Sequence, residues 1–304
     1  MTSQAPDLSV VIACHNAANV IARCLEALQP QGQLVAMEVI VADSSRDGTD
    51  AVVRDRFPFV KLLHVDVPLT VPELRGRAIA SARGGVIAVL DPFSVAAPDW
   101  AAATLAAHRA RPNLVIGGSV DKHDAMGSGL RAWALYFNEY GLFLPPIHAG
   151  AATIVPGSNV SYKRTALFDG EHARHAVFWK TFVNWEAERS GSPLWLDPKI
   201  NVALNKPISF GDFLATRFAH GRCFAAMRTA NERVAKRWLR ALSTPLVPLV
   251  LCWRWTRGIW PKRRHRLRYA LTLPLQLALF AMWSAGEFVG YARGAGRSCQ
   301  CLYY

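Results

Sequence analysis

An alternation of short apolar runs and helically spaced segments constrains this chain more than any other feature. Runs of strand length and apolar character occupy residues 8–13 (LSVVIA), 37–42 (MEVIVA), 60–65 (VKLLHV) and 86–90 (VIAVL). Between the first two, Val20, Ile21, Cys24, Leu25 and Leu28 recur at helical spacing over 17–29, with Asn16 placed to cap that helix. Thr49 opens a second helix, and a third over 73–83 is stopped by Gly84-Gly85. Strands that alternate with helices through short links predict an α/β fold, a mostly parallel sheet with helices on both faces. Such sheets bind ligands outside the carboxyl ends of their strands. Asn16, Asp43 and Asp91 each follow a strand, so the fold should gather them at one edge.

Further along, 101–110 reads as a helix and 114–118 as a strand. Trp133, Tyr136, Phe137, Tyr140, Phe143 and Leu144 then form an aromatic stripe ended by Pro145-Pro146, the pattern of a core or of a lid packed on a sheet. Residues 176–190 look helical, 194–204 extended, and 208–240 like one or two basic helices.

The net charge of +13 resembles a nucleic-acid signal until it is mapped. Residues 206–268 hold 15 Lys/Arg against Asp212 and Glu232, whereas the first 205 residues are nearly neutral. The excess borders two apolar segments, Leu239–Thr256 and Tyr269–Ala285, and no helix-turn-helix, RNA-binding sheet motif or zinc finger accompanies it. A basic band of this kind is drawn to an anionic membrane surface at about 1 kcal/mol per charge, so no nucleic-acid partner is expected. If Leu239–Thr256 spanned a bilayer, the basic loop RGIWPKRRHRLR would lie on the far side, against the cytoplasmic bias of such loops. The segments are therefore expected as in-plane helices, or as one in-plane helix and one C-terminal span. The N-terminus MTSQAPDLS lacks a basic region followed by an apolar stretch, so the part ahead of the basic band is expected in the cytoplasm, at the inner face of the plasma membrane. The six cysteines have no zinc spacing, and Cys299 and Cys301 are expected as reduced thiols. There is no G-x-S-x-G elbow, no phosphate-loop G-x-x-x-x-G-K and no H-E-x-x-H.

Five segments, in order, resemble those of family 2 glycosyltransferases, the inverting GT-A type enzymes. They are Ser9–Asn16 (SVVIACHN), Val41–Thr49 (VADSSRDGT), Leu74–Gly84 (LRGRAIASARG), Val89–Phe93 (VLDPF) followed by Ala97-Pro-Asp-Trp100, and Pro156–Arg164 (PGSNVSYKR). The resemblance implies a nucleotide-diphosphate sugar as donor and a glycan or lipid-linked acceptor. It places Ala13 and Asn16 beside the nucleobase, Asp43 on the uridine or ribose, Arg75 toward the phosphates and Asn159 on the acceptor side. Asp91 matches the first acid of the metal motif, which holds Mg²⁺ or Mn²⁺ across the diphosphate; Phe93 stands at the second acid and cannot ligate. The family's catalytic base falls at Trp179-Lys180, leaving Glu186 and Glu188 as the nearest acids for that role.

Each residue also has a plainer reading: an Asx-turn for Asp43, a helix cap for Asn16, an exposed helix Arg for Arg75 and solvated carboxylates for the two glutamates. The expected organisation is a nucleotide-sugar-binding half (1–125), an acceptor-side half of the same domain (126–237) and a membrane-associated helical region (238–304). The rival to a glycosyltransferase is a catalytically impaired relative that binds nucleotide or a partner transferase. A basic membrane scaffold would leave Asp43 and Asp91 unexplained.

Overall fold

The computed structural model describes residues 5–206 and 208–302. The chain forms two compact units: the residues up to His123 together with Phe143–Lys206, and Asp124–Leu142 together with the chain after Lys206. These boundaries differ from the three-part division read from the sequence. The aromatic stripe supplies a helix to the C-terminal unit, while the residues after it return to the sheet.

The first unit opens with β1 (Leu8–Cys14), α1 (Ile21–Leu28), β2 (Met37–Asp43), α2 (Thr49–Arg56), β3 (Val60–His64), α3 (Val71–Ala80) and β4 (Val86–Leu90). It continues with β5 (Ser94–Ala96), α4 (Trp100–Ala110) and β6 (Val115–Lys122). After α5 (Leu130–Tyr140), which belongs to the other unit, come β7 (Gly150–Ala152), β8 (Asn159–Lys163), α6 (Arg164–Leu167), the small hairpin β9 (Phe168–Asp169) and β10 (His172–Ala173), α7 (Lys180–Arg189) and β11 (Leu194–Leu204).

The large sheet runs β3-β2-β1-β4-β8-β6-β11-β5, with β7 also on β11. Its first four strands are mutually parallel. β8 runs antiparallel between β4 and β6, and β11 is parallel to β6. Hence β1, β2, β3, β4, β6 and β11 all point one way and end on one edge. Every residue of β1 and β4 is buried. Continuous apolar runs are what strands covered on both faces require. α3 starts with a capping box, in which the Thr70 backbone N–H donates to Glu73 Oε2 at 2.8 Å, and with Pro72 in its first turn.

The second unit is helical: α5, then α8 (Phe210–Arg228), α9 (Val234–Ser243), α10 (Val247–Ile259) and α11 (Arg266–Arg293). The aromatic stripe of α5 is core here, with the Phe137 ring 5.2 Å from that of Tyr269 on α11. Asn138 on α5 donates to Gln276 Oε1 on α11 at 3.2 Å, and Gln276 Nε2 donates to the Ala134 carbonyl at 2.8 Å. α8 and α11 touch backbone to backbone. A Cβ on Gly221 would lie 2.2 Å from the Trp283 carbonyl, and one on Gly286 2.2 Å from the Phe218 carbonyl. The Gly286-x-x-x-Gly290 spacing puts small residues on one helix face and permits this approach. Cys223 and Cys299 form a disulfide, which corrects the expectation of a reduced Cys299. The apolar stretch 239–256 is broken between α9 and α10 by a short turn over Thr244–Leu246, where Pro245 and Pro248 withhold backbone donors. Among the described residues, α11 alone is long and apolar enough to cross a membrane; 39% of its most apolar window is buried within the protein.

Gly286→Leu should destabilise the helical unit by at least about 1–3 kcal/mol, the usual cost of overpacking a filled interface. Chemical unfolding measures it, and an unchanged midpoint would show that α8 and α11 do not meet this closely.

Candidate functional site at the carboxyl edge of the sheet

Ile12 on β1 pairs with Val41 on one side and with Leu90 on the other, so the ends of β2, β1 and β4 lie level. Cys14 is the partner of Asp43, and Asp91 follows Leu90 by one residue. The expected gathering of Asn16, Asp43 and Asp91 at one edge is what the ladder produces.

The loops after β1 and β2 are bonded to one another. The Asn16 N–H donates to Ser45 Oγ at 2.7 Å, and Asn16 Oδ1 accepts from the Arg46 N–H at 3.1 Å. The Ala17 N–H donates to Thr49 Oγ1 at 2.9 Å and the Ala18 N–H to Asp47 Oδ2 at 3.1 Å. Asn16 sits at φ 52°, a left-handed conformation Asn tolerates well, and caps nothing: α1 begins five residues later. This corrects the N-cap reading. Ala13 presents its side chain to the buried core, so only its backbone lies near the loop.

Asp43 is 0% exposed. Ser45 Oγ donates to its Oδ1, and His64 Nδ1 lies 2.6 Å from its Oδ2. The carboxylate therefore fixes the Ser44–Arg46 loop and the end of β3 from beneath. Among the described residues Asp43, Asp50 and His64 bring ligand atoms within 4.8 Å of one another, but Asp43 is engaged by Ser45 and His64, and Asp50 by Arg54 at 3.1 Å. Both carboxylates of the trio thus already have partners within the protein.

Arg75, on α3, reaches the turn after β4, where its Nη2 lies 2.5 Å from Asp91 Oδ1. It is a half-buried partner of Asp91 and not a solvated helix residue. Phe93 is buried, with the Lys206 ammonium 5.3 Å from its ring centroid. Two thiols report the local field. Burial first, then the Asp43 charge, raises Cys14 well above the usual thiol range, and burial with Asp91 pushes Cys24 up to about 12. Both stay protonated near neutral pH and are packing groups, not nucleophiles. Burial also lowers His15, against the pull of Asp43 and Asp47, so its imidazole is neutral at pH 7.

Asn159 is 1% exposed, and its amide is fully used. Its Oδ1 accepts from Trp100 Nε1 at 2.9 Å, and its Nδ2 donates to the Ser119 and Ile200 carbonyls at 2.8 and 3.0 Å. It knits β8 to β6 and β11 instead of facing an acceptor. Glu186 and Glu188 are not brought to the edge either. α7 starts at Lys180, whose Nζ donates to the Val155 carbonyl at 3.3 Å. It runs toward Ser192, which bonds the Leu114 N–H just before β6 begins. The two glutamates therefore lie in the half of α7 nearer the amino-terminal edge, and exposed Glu186 pairs with His175 at 3.1 Å. Sequence reasoning missed Ser45, His64 and Lys206. His64 follows from the pairing of β2 with β3, which sets it opposite Asp43, and Ser45 lies in the turn just after Asp43, but Lys206 carries no local motif.

The model of the family described as glycosyl transferase family 2 matches residues 9–168, more than half of the chain. The chain belongs to glycosyl transferase family 2, with a GT-A type sheet. The succinoglycan biosynthesis protein ExoO of Rhizobium meliloti (strain 1021) is 36% identical over 95 residues, which are 31% of this chain and 27% of that protein. The match thus spans about a quarter of that relative's length. Two solved structures share the fold. The mannosyltransferase PcManGT from Pyrobaculum calidifontis, in complex with GDP-Man and Mn²⁺, aligns with TM-score 0.54 at 17% identity, covering 98% of this chain and 88% of that one. TarS 1-349 of S. aureus, in complex with UDP-GlcNAc, aligns with TM-score 0.50 at 15% identity, covering 98% and 93%.

Asp43→Ala should weaken nucleotide-diphosphate binding by about 1–3 kcal/mol, since the loop it anchors loses a charged hydrogen-bond partner. Calorimetry with UDP and GDP on both proteins decides, and equal affinities would remove Asp43 from the site.

Proposed function

We propose that this chain moves a sugar, with inversion, from a nucleotide-diphosphate donor to a membrane-linked or envelope glycan acceptor. One observation carries the reading: the Asn16 and Asp43 loops and the Arg75–Asp91 pair share the carboxyl edge of a family 2 sheet. The GDP-Man and UDP-GlcNAc of the two similar structures and the polysaccharide role in the relative's name support the donor and acceptor classes. In this reading the interlocked loops shape the nucleoside recess, with Asp43 holding them from below. Arg75 stands toward the phosphates. The oxygen of an acceptor hydroxyl then attacks the anomeric carbon as the bond to the diphosphate breaks; the leaving oxygen keeps that electron pair, and the hydroxyl proton passes to solvent or to the leaving diphosphate.

A divalent ion is the cofactor such a site invites, and its residues do not fit one. Mg²⁺ and Mn²⁺ take oxygen ligands. Asp91 offers its carboxylate to the Arg75 guanidinium, and the next ligand position is a phenyl ring with an ammonium beside it. No step is routed through a metal.

A second reading, a relative that binds nucleotide or a partner transferase without turnover, is favoured by Lys180 at the start of α7 and by the placement of Glu186 and Glu188. A screen of UDP-, GDP- and TDP-sugars for binding and donor hydrolysis separates the two. The transferase reading predicts that one donor class binds and is turned over, with activity surviving EDTA. Binding without turnover would support the second reading, and no binding at all would contradict both.

The membrane surface is the proposed location, on the cytoplasmic side. α9 buries only Ala241 and exposes Val234, Trp238, Leu239 and Leu242, and α10 exposes Leu249, Val250 and Trp253. The break between these helices disfavours a straight span, and the adjacent Arg and Lys side chains suit anionic headgroups. The Cys223–Cys299 disulfide favours an oxidising compartment and pulls the other way. The charge placement is the stronger argument, because it involves many residues instead of one bond. Removing residues 238–304 should release the protein from membranes. With Cys252 and Cys301 changed to Ser, Arg263→Cys should resist an impermeant thiol reagent in intact cells. Labelling from outside would overturn the cytoplasmic assignment.

A further inference from the structure

We propose that Lys206 is the resident cation of this site, taking the neutralising role that a divalent ion plays beside two carboxylates. The inference rests on the reading of the carboxyl edge as a donor site and adds a residue that no sequence motif marks.

Lys206 lies two residues beyond the end of β11. β11 is parallel to β6, β6 is antiparallel to β8, and β8 is antiparallel to β4. The end of β11 thus reaches the same edge as the end of β4, where Asp91 stands. Short-range bonds then fix it against the turn after β4. Leu204 pairs with Ser94 and Val202 with Ala96, and the Asn205 N–H donates to the Phe93 carbonyl at 2.8 Å. The Phe93 backbone is thereby clamped, while the Ser94 N–H closes the turn on the Asp91 carbonyl at 3.0 Å. A side chain carried on so rigid a frame is pre-positioned, as an electrostatic stabiliser must be.

Lys206 is only 5% exposed. Lysines are almost never this buried without a compensating environment. Here its ammonium lies 5.3 Å from the Phe93 ring centroid, within the range of cation–π attraction. Phe93 stands where a second acid would have been, so one substitution removes a metal ligand and supplies a face that accepts a cation. An ammonium has three donors and no acceptor, which suits phosphate oxygens. A fixed ammonium there would hold the diphosphate in the ground state and stabilise the charge that grows on it as it leaves.

The test is calorimetry on the full chain in EDTA, using UDP, GDP and TDP and the corresponding nucleosides as probes. Lys206→Met should lower affinity for the diphosphate that binds wild type by at least about tenfold, the loss expected for a charge-assisted bond. The matching nucleoside should bind within about twofold of wild type, since surface-neutral contacts are untouched. Lys206→Arg should keep most of the affinity. The double change Phe93→Asp with Lys206→Met should restore binding only when Mn²⁺ is added. Unchanged diphosphate affinity in Lys206→Met would overturn the proposal, and so would a tenfold gain for wild type on adding Mn²⁺; the donor-site reading would survive both. If wild type binds none of the three diphosphates, the donor-site reading falls and the proposal with it. Should Lys206→Met fail to fold, the Mn²⁺ titration of wild type still decides.

Discussion

The parallel ladder of β2, β1 and β4 is the constraint on which the rest depends. Ile12 is paired on both sides, with Val41 and Leu90, so a slip of one residue in either ladder would turn Asp43 or Asp91 toward the opposite face. Burial of every side chain in β1 and β4 makes such a slip expensive, because it cannot be absorbed by solvent on either face. Fixed register places two carboxylates at one edge, and each is held by a basic partner, His64 for Asp43 and Arg75 for Asp91.

The electrostatics of that edge follow from these pairs and from burial. Burial first, and then the nearby carboxylates, raise the neighbouring thiols, which leaves Cys14 and Cys24 as inert packing groups. Arg75 and Lys206 provide the positive side of the site, one on α3 and one just after β11. Arg75 reaches Asp91 and Lys206 reaches the Phe93 ring, so both approach the turn that links β4 to β5.

The parallel half of the fold was legible because its strands are uniformly apolar and its helices keep a clear period. In the mixed half the extended segments 114–118 and 194–204 were legible, but not their places in the sheet. β8 and β11 carry Asn, Ser, Lys and Asp, and their positions in the sheet depend on partners far away in sequence. The same limit explains the site. Asp43, Asp91 and Arg75 lie in short segments that carry family resemblance, whereas Lys206 acquires its place only through the β11–β5 pairing. Glu186 and Glu188 are the first acids after Trp179-Lys180 along the chain, and nearness in sequence does not reveal the direction in which α7 runs. Asn159 has the right neighbours in sequence, yet its amide is consumed by Trp100, Ser119 and Ile200. The prolines of the first apolar C-terminal stretch did foreshadow its break into α9 and α10. The Cys223–Cys299 bond joins residues 76 apart and leaves no local trace.

The central claim is that the loops at the carboxyl edge form the donor site. Hydrogen exchange on the full-length protein, with and without saturating UDP or GDP, tests it most directly. Protection confined to residues 14–18, 44–49 and 91–94 is the predicted result, because those backbones would line the nucleotide. Protection elsewhere, with these three segments exchanging unchanged while nucleotide is bound, would contradict it.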